Sequence, residues 1–136
     1  MLTTKEIQKA VAEAVAVIGE ERSSHKVFSV ATTPTHTGEP HVEIVGTEYH
    51  YVFTERGEEF ERHATEHDDE IIYWFVSSYV FMVAGNWELK NREPGQDSRR
   101  RIFGKEVELL KRVSDKWANR KEDEISRILE KHPYAN

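Results

Sequence analysis

The sequence predicts an α+β domain with element order αββββααα. It has an N-terminal helix, a four-stranded antiparallel β-meander, and then three helices packed on the sheet, all within one domain spanning residues 1–136. Three observations carry this reading. Apolar residues near the N-terminus recur at helical spacing. Four short runs rich in β-branched and aromatic residues follow, punctuated by glycine and proline. Then comes an apolar run at 71–84, in which twelve of 14 residues are apolar or aromatic and which holds five of the 14 aromatics.

Thr3 and Glu6 have the spacing of a capping box, and Ile7, Val11, Ala14 and Ile18 form one apolar face, so a helix is expected over about 4–20. Residues 26–31 read as a first strand and 32–40 as a loop, because that loop holds Pro34, Gly38 and Pro40. Strands at 41–45 and 49–54 follow, with Tyr49, Tyr51 and Phe53 on one face by alternation. Arg56-Gly57 suits a tight hairpin. The returning strand, 59–64, places Phe60 and Ala64 on one face and its acids on the other.

The 71–84 run is too short for a membrane span, for which about 20 apolar residues are needed. It reads as buried core. Strand propensity and Ser77-Ser78 allow a hairpin, but three features favour a helix. Asp68, Asp69 and Glu70 stand where a helix N-terminus accepts negative charge, the run is long for a strand, and helix-compatible residues continue to Pro94-Gly95. A third helix begins near Asp97, with Phe103, Val107, Leu110 and Val113 inward. A fourth begins at Ser114-Asp115, with Trp117, Ile125, Ile128 and Leu129 inward.

Net charge is −6, and its placement is informative. Residues 55–70 carry eight acids against Arg56 and Arg62, and the other 120 residues hold 17 acids and 17 bases. Nucleic-acid binding calls for a basic stripe, so this distribution excludes a bulk nucleic-acid binder. It fits either a solvated hairpin and helix start or an acidic docking face for a basic partner. Without cysteine there is no disulfide framework or thiolate chemistry. The N-terminus lacks the basic and apolar regions of a signal peptide, so a cytoplasmic protein without membrane attachment is expected.

His63, Glu66 and His67 match the H-x-x-E-H pattern of inverted zinc peptidases. That chemistry needs a helix, so that both histidines bind zinc from one face while the glutamate activates water. His63 falls in a predicted strand, which argues against it. A zinc hydrolase using these three residues is therefore an alternative, and no cofactor is expected. His25, His36, His41 and His50 lack metal-ligand spacing and read as exposed polar residues. Arg99, Arg100 and Arg101 open the third helix against its dipole. Pairing with Asp97, Glu93 or the acidic hairpin explains them better than phosphate recognition. Glu88 and Arg92 have the spacing of a helix-surface ion pair.

The ordered set of 49–52, Glu55-Arg56-Gly57, Asp69-Glu70 before Tyr73-Trp74, 88–90 with Arg92, Asp97 before Arg99-Arg100, Phe103, Leu109-Leu110 and Trp117 resembles the immunity protein 63 family. The resemblance covers roughly residues 41–132. It implies a non-enzymatic inhibitor that binds the C-terminal domain of a cognate polymorphic toxin in the bacterial cytoplasm. No catalytic or metal residue is carried over. An acidic face speeds capture of a basic toxin. Glu58, Glu59, Glu61 and Asp69 are the expected steering residues, with His63 or Tyr49 as anchors. An acidic adaptor for another basic protein is the remaining alternative. The aromatic surplus at Tyr49, Tyr51 and Phe53 suits an interface as well as a core.

Overall fold

Helix α1, Thr4–Ile18, starts with the expected capping box. Thr3 N–H donates to Glu6 Oε1 at 2.9 Å and Glu6 N–H to Thr3 Oγ1 at 3.2 Å. These bonds hold the Glu6 carboxyl below the usual carboxylate range. Ile7, Val11, Ala14 and Ile18 are buried, as their spacing requires. The computed structural model describes residues 1–19 and 28–136. His25 and the Lys26-Val27 start of the expected first strand lie outside them.

Three strands are present among the described residues, not four: β1 (Thr37–Val45), β2 (Glu48–Glu55) and β3 (Glu58–Thr65), antiparallel in the order β1-β2-β3. In place of the other expected strand, Ala31 makes an isolated parallel bridge to His41, and Val42 N–H donates to Ala31 O at 2.9 Å. Bends at Thr32-Thr33 and then Pro34 take the chain out of register after that one bridge. β1 also starts earlier than expected. Its register shift between Thr37 and Pro40 accommodates a proline that cannot donate to the ladder.

The 71–84 run lies within α2, Asp68–Lys90, so it is a helix. His67 starts it, its carbonyl accepting from Glu70 N–H at 3.2 Å and Ile71 N–H at 3.3 Å. The acids of the first turn sit at the positive end of the helix dipole. Helices α3 (Ser98–Lys111) and α4 (Asp115–Lys131) are capped by Asp97 and Ser114, whose side chains accept from Arg99 N–H and Trp117 N–H. No helix among the described residues is long and apolar enough to cross a membrane.

The chain forms two compact units that divide within α2, between Val76 and Ser77. The first holds the sheet, the front of α2 and α1 as far as Ala16. Its buried residues include Tyr49, Tyr51, Val42, Val52, Ile71, Tyr73, Phe75 and Ile7, Val11 and Ala14 of α1. Tyr51 meets Phe75 edge-on at 4.8 Å and Trp74 at 5.7 Å, so the front of α2 covers the aromatic face of the sheet.

In the second unit α3 and α4 pack on each other, and Leu109, Leu110, Trp117, Ala118 and Ile125 are buried with Tyr79, Val80 and Ala84 of α2. The expected inward positions hold for Leu110, Trp117 and Ile125, whereas Ile128 is exposed. This unit also buries charge. Lys121 Nζ donates to Ser77 Oγ at 2.6 Å and lies 3.7 Å from Glu106 and 3.3 Å from Glu124. Burial pushes the Glu106 carboxyl up despite that lysine. Glu88 is nearly fully buried while pairing with Arg92 at 2.9 Å, so this pair is more than the surface brace its spacing suggested.

Candidate protein-docking site

The β2–β3 hairpin turns on Arg56 and Gly57, with φ of 53° and 85°. Two successive positive φ values suit the twist of a two-residue hairpin, and glycine adopts the second without steric cost. The turn projects Glu55 and Glu58 at the hairpin tip, beside a shallow cleft of about 590 Å³ lined by Glu55, Arg56, Glu58 and Phe60.

Strand β3 is one of the two outer strands, and every residue from Glu58 to Ala64 is exposed. The expected inward face of Phe60 and Ala64 is not formed. A register shift places Phe53 opposite Glu61 and Thr54 opposite Glu59, leaving Phe60 as the extra residue. One added residue inverts the alternation beyond it. Phe60 therefore lies against Phe53, with ring centroids 5.8 Å apart, while Ala64 pairs with His50. Phe60 is 56% exposed.

Across the sheet, Arg62 is the hub of an ion network. Its guanidinium donates to Glu59 at 2.7 and 2.9 Å, to Glu43 at 3.2 Å and to His50 Nδ1 at 2.7 Å. Arginine has no acceptor, so His50 Nδ1 accepts and its Nε2–H faces Glu48 at 3.3 Å. Glu43 also accepts from His41 Nε2 at 2.7 Å. The His41 bond, then Arg62, holds Glu43 below the usual carboxylate range, and Arg62 does the same for Glu59. The guanidinium is correspondingly harder to deprotonate.

The expected site residues divide on this geometry. Glu58 and Glu61 stand exposed on β3, with Glu61 2.5 Å from His63 Nε2. His63 is exposed and lies 5.9 Å from the Trp74 ring. Asp69 is exposed in the first turn of α2. Glu59 is committed to Arg62. Tyr49 is 0% exposed, so it cannot anchor a partner at the surface. Its hydroxyl donates to Asp68 and accepts from Leu2 N–H at 2.6 Å, and burial beside the Asp68 carboxylate raises its pKa.

The zinc arrangement does not assemble. His63 is on β3, His67 precedes α2, and Glu66 accepts from Thr47 Oγ1 at 3.0 Å, so the motif does not lie on one helix. No group of three His, Asp or Glu side chains among the described residues is placed to hold a metal. His41, expected to be exposed, is 0% exposed. It lies opposite the buried Val52 of the central strand, and alternation did not mark it, because the adjacent Val42 is buried as well. The exposure of Phe60 had no signal either, because a bulge is not encoded in the alternation it interrupts.

The arginines of α3 resolve as internal pairings. Arg99 binds Asp97 at 2.8 Å and donates to the carbonyls of His132 and Pro133, while Arg100 and Arg101 lie over Tyr134 and Trp87. Hydrogen bonds from the Arg99 side chain, the Ala135 N–H and the Arg99 N–H hold the Asp97 carboxyl well below its usual range.

The family model for immunity protein 63 matches residues 46–127, more than half of the chain. The chain belongs to the immunity protein 63 family. Neither a curated protein nor a solved structure matches it. The part matched by the immunity protein 63 model spans the whole hairpin, α2, α3 and most of α4, and therefore every candidate docking residue.

Proposed function

We propose that this chain is a bacterial immunity protein that neutralises the C-terminal domain of a cognate polymorphic toxin in the cytoplasm by stoichiometric binding, without catalysis. Family membership supports an immunity role and a protein partner. The single structural observation behind the docking face is the exposed hairpin, which projects Glu55, Glu58 and Glu61 from the segment that carries the net charge. Concentrated charge of one sign raises encounter rates with an oppositely charged partner and repels others of its own sign. Glu58, Glu61 and Asp69 steer, His63 beside Trp74 lies at the edge of the contact, and Glu59 acts through Arg62 by holding the strand's charge pattern.

Co-expression with the toxin domain encoded beside its gene tests this reading. The chain restores growth, and replacement of Glu58, Glu59 and Glu61 together by lysine lowers protection and slows association at low salt. Full protection by the triple variant with an unchanged association rate would remove the hairpin from the docking face. Failure of the unaltered chain to restore growth would instead favour an acidic adaptor for another basic protein.

A further inference from the structure

We propose that β3 is the docking edge itself, and that a basic, extended segment of the toxin adds to it as a fourth strand. This rests on the immunity reading and specifies how the partner is held. An edge strand carries backbone donors and acceptors that its single neighbour leaves unpaired. β3 pairs with β2 on one side, and no described residue pairs with its other side. Its eight residues extend about 27 Å at about 3.4 Å each, enough for a full strand partner.

The side chains limit what can pair there. A second copy of this chain would bring Glu58 and Glu61 up to the same acids, and like charges on facing strands oppose pairing. Arg62 does not relieve this, because Glu59 and Glu43 already neutralise it. A strand bearing lysine or arginine meets the opposite situation. Glu61 lies along its path and Glu55 and Glu58 at its end. At the tip, the cleft is lined by those two carboxylates, Arg56 and the exposed Phe60 ring, so its charge stays net negative for the head of one basic side chain and Phe60 offers a wall for its stem. Phe60, backed by Phe53, offers the apolar contact that charge alone lacks. The bulge that exposes Phe60 also bends the strand, so an unselected flat edge fits poorly. Main-chain bonding supplies affinity in such strand addition, and the side-chain pattern supplies selection.

The test uses the full chain and the neighbouring toxin domain, with residue-resolved amide exchange of the free and bound chain. In the complex, the amides of β3 that β2 does not pair slow by about tenfold or more. Phe60→Ala, at a position that contributes little to the core, weakens the complex by about tenfold. A stable complex that leaves those β3 amides exchanging as in the free chain overturns the strand-addition mode while the immunity reading stands. No complex, together with no growth rescue, overturns both. Arg62→Leu provides a second readout. Freeing Glu43 and Glu59 makes the edge more acidic, so association with the toxin domain quickens. An association rate that does not rise would remove charge selection at this edge.

Discussion

Carboxyl groups of this molecule respond to pH in opposite directions. Glu43 and Glu59 are held below the usual carboxylate range by His41 and Arg62. Their contribution is present above the unfolded value of 4.5 and is lost as pH falls through the lower folded values. Arg62→Leu is therefore expected to lower Tm at pH 7 by a few degrees, about 2–5 °C, with the deficit shrinking below pH 4 in thermal melts. Glu106 behaves oppositely. Burial raises its folded pKa, so its ionisation opposes folding above that value. Glu106→Gln mimics the protonated carboxyl and leaves Lys121 bonded to Ser77 and beside Glu124. It is expected to raise Tm at pH 7 and to melt with the wild type near pH 4. A lower Tm for the variant at pH 7 would mean that the Lys121 attraction outweighs burial. Neither arrangement was legible in sequence. Arg62 meets Glu43 only through strand pairing, and Lys121 meets Glu106 only through the packing of α3 on α4.

At the scale of elements, local signals were sufficient wherever the structure obeys a local rule. The capping box at Thr3, the acidic start of α2, and the Asp97 and Ser114 caps all stand where residue chemistry put them. The strand count went astray because residues 28–31 have strand composition but make one bridge, and composition does not specify pairing. The β3 faces went astray because one bulged residue inverts the alternation. Two glycines test how far local rules extend. Gly57 holds a φ of 85° in the hairpin turn, where an L side chain is strained, so Gly57→Ala is expected to cost about 1 kcal/mol. Gly85 lies inside α2, and a Cβ there would meet nothing within 4 Å. Gly85→Ala is expected to stabilise by about 1 kcal/mol, because only the helix penalty of glycine is removed. Urea titrations of the two variants should shift their midpoints in opposite directions. Destabilisation by Gly85→Ala would contradict the open space around that position.

For the molecule as a whole, the decisive feature is that a net charge of −6 resides within residues 55–70 while the remainder balances. Balanced surface charges are screened locally and exert little force at a distance. An unbalanced cluster on an exposed hairpin projects a field over about a Debye length, about 10 Å at 0.1 M salt and about 3 Å at 1 M. Such a field acts on encounter more than on a docked state, which in the proposed complex the strand pairing and Phe60 would hold. Raising salt from about 10 mM to about 1 M is therefore expected to slow association with the toxin domain by about tenfold or more and to change dissociation far less. Stopped-flow association and surface-capture dissociation read the two rates separately. The control comes from α4, where Glu122 and Asp123 are exposed acids outside the clustered segment. Replacing both by lysine changes the net charge by the same four units as reversing Glu58 and Glu61. If charge position governs capture, the hairpin reversal flattens the salt dependence and the α4 reversal leaves it steep. Equal flattening by both would assign steering to total charge and would take the hairpin out of the encounter.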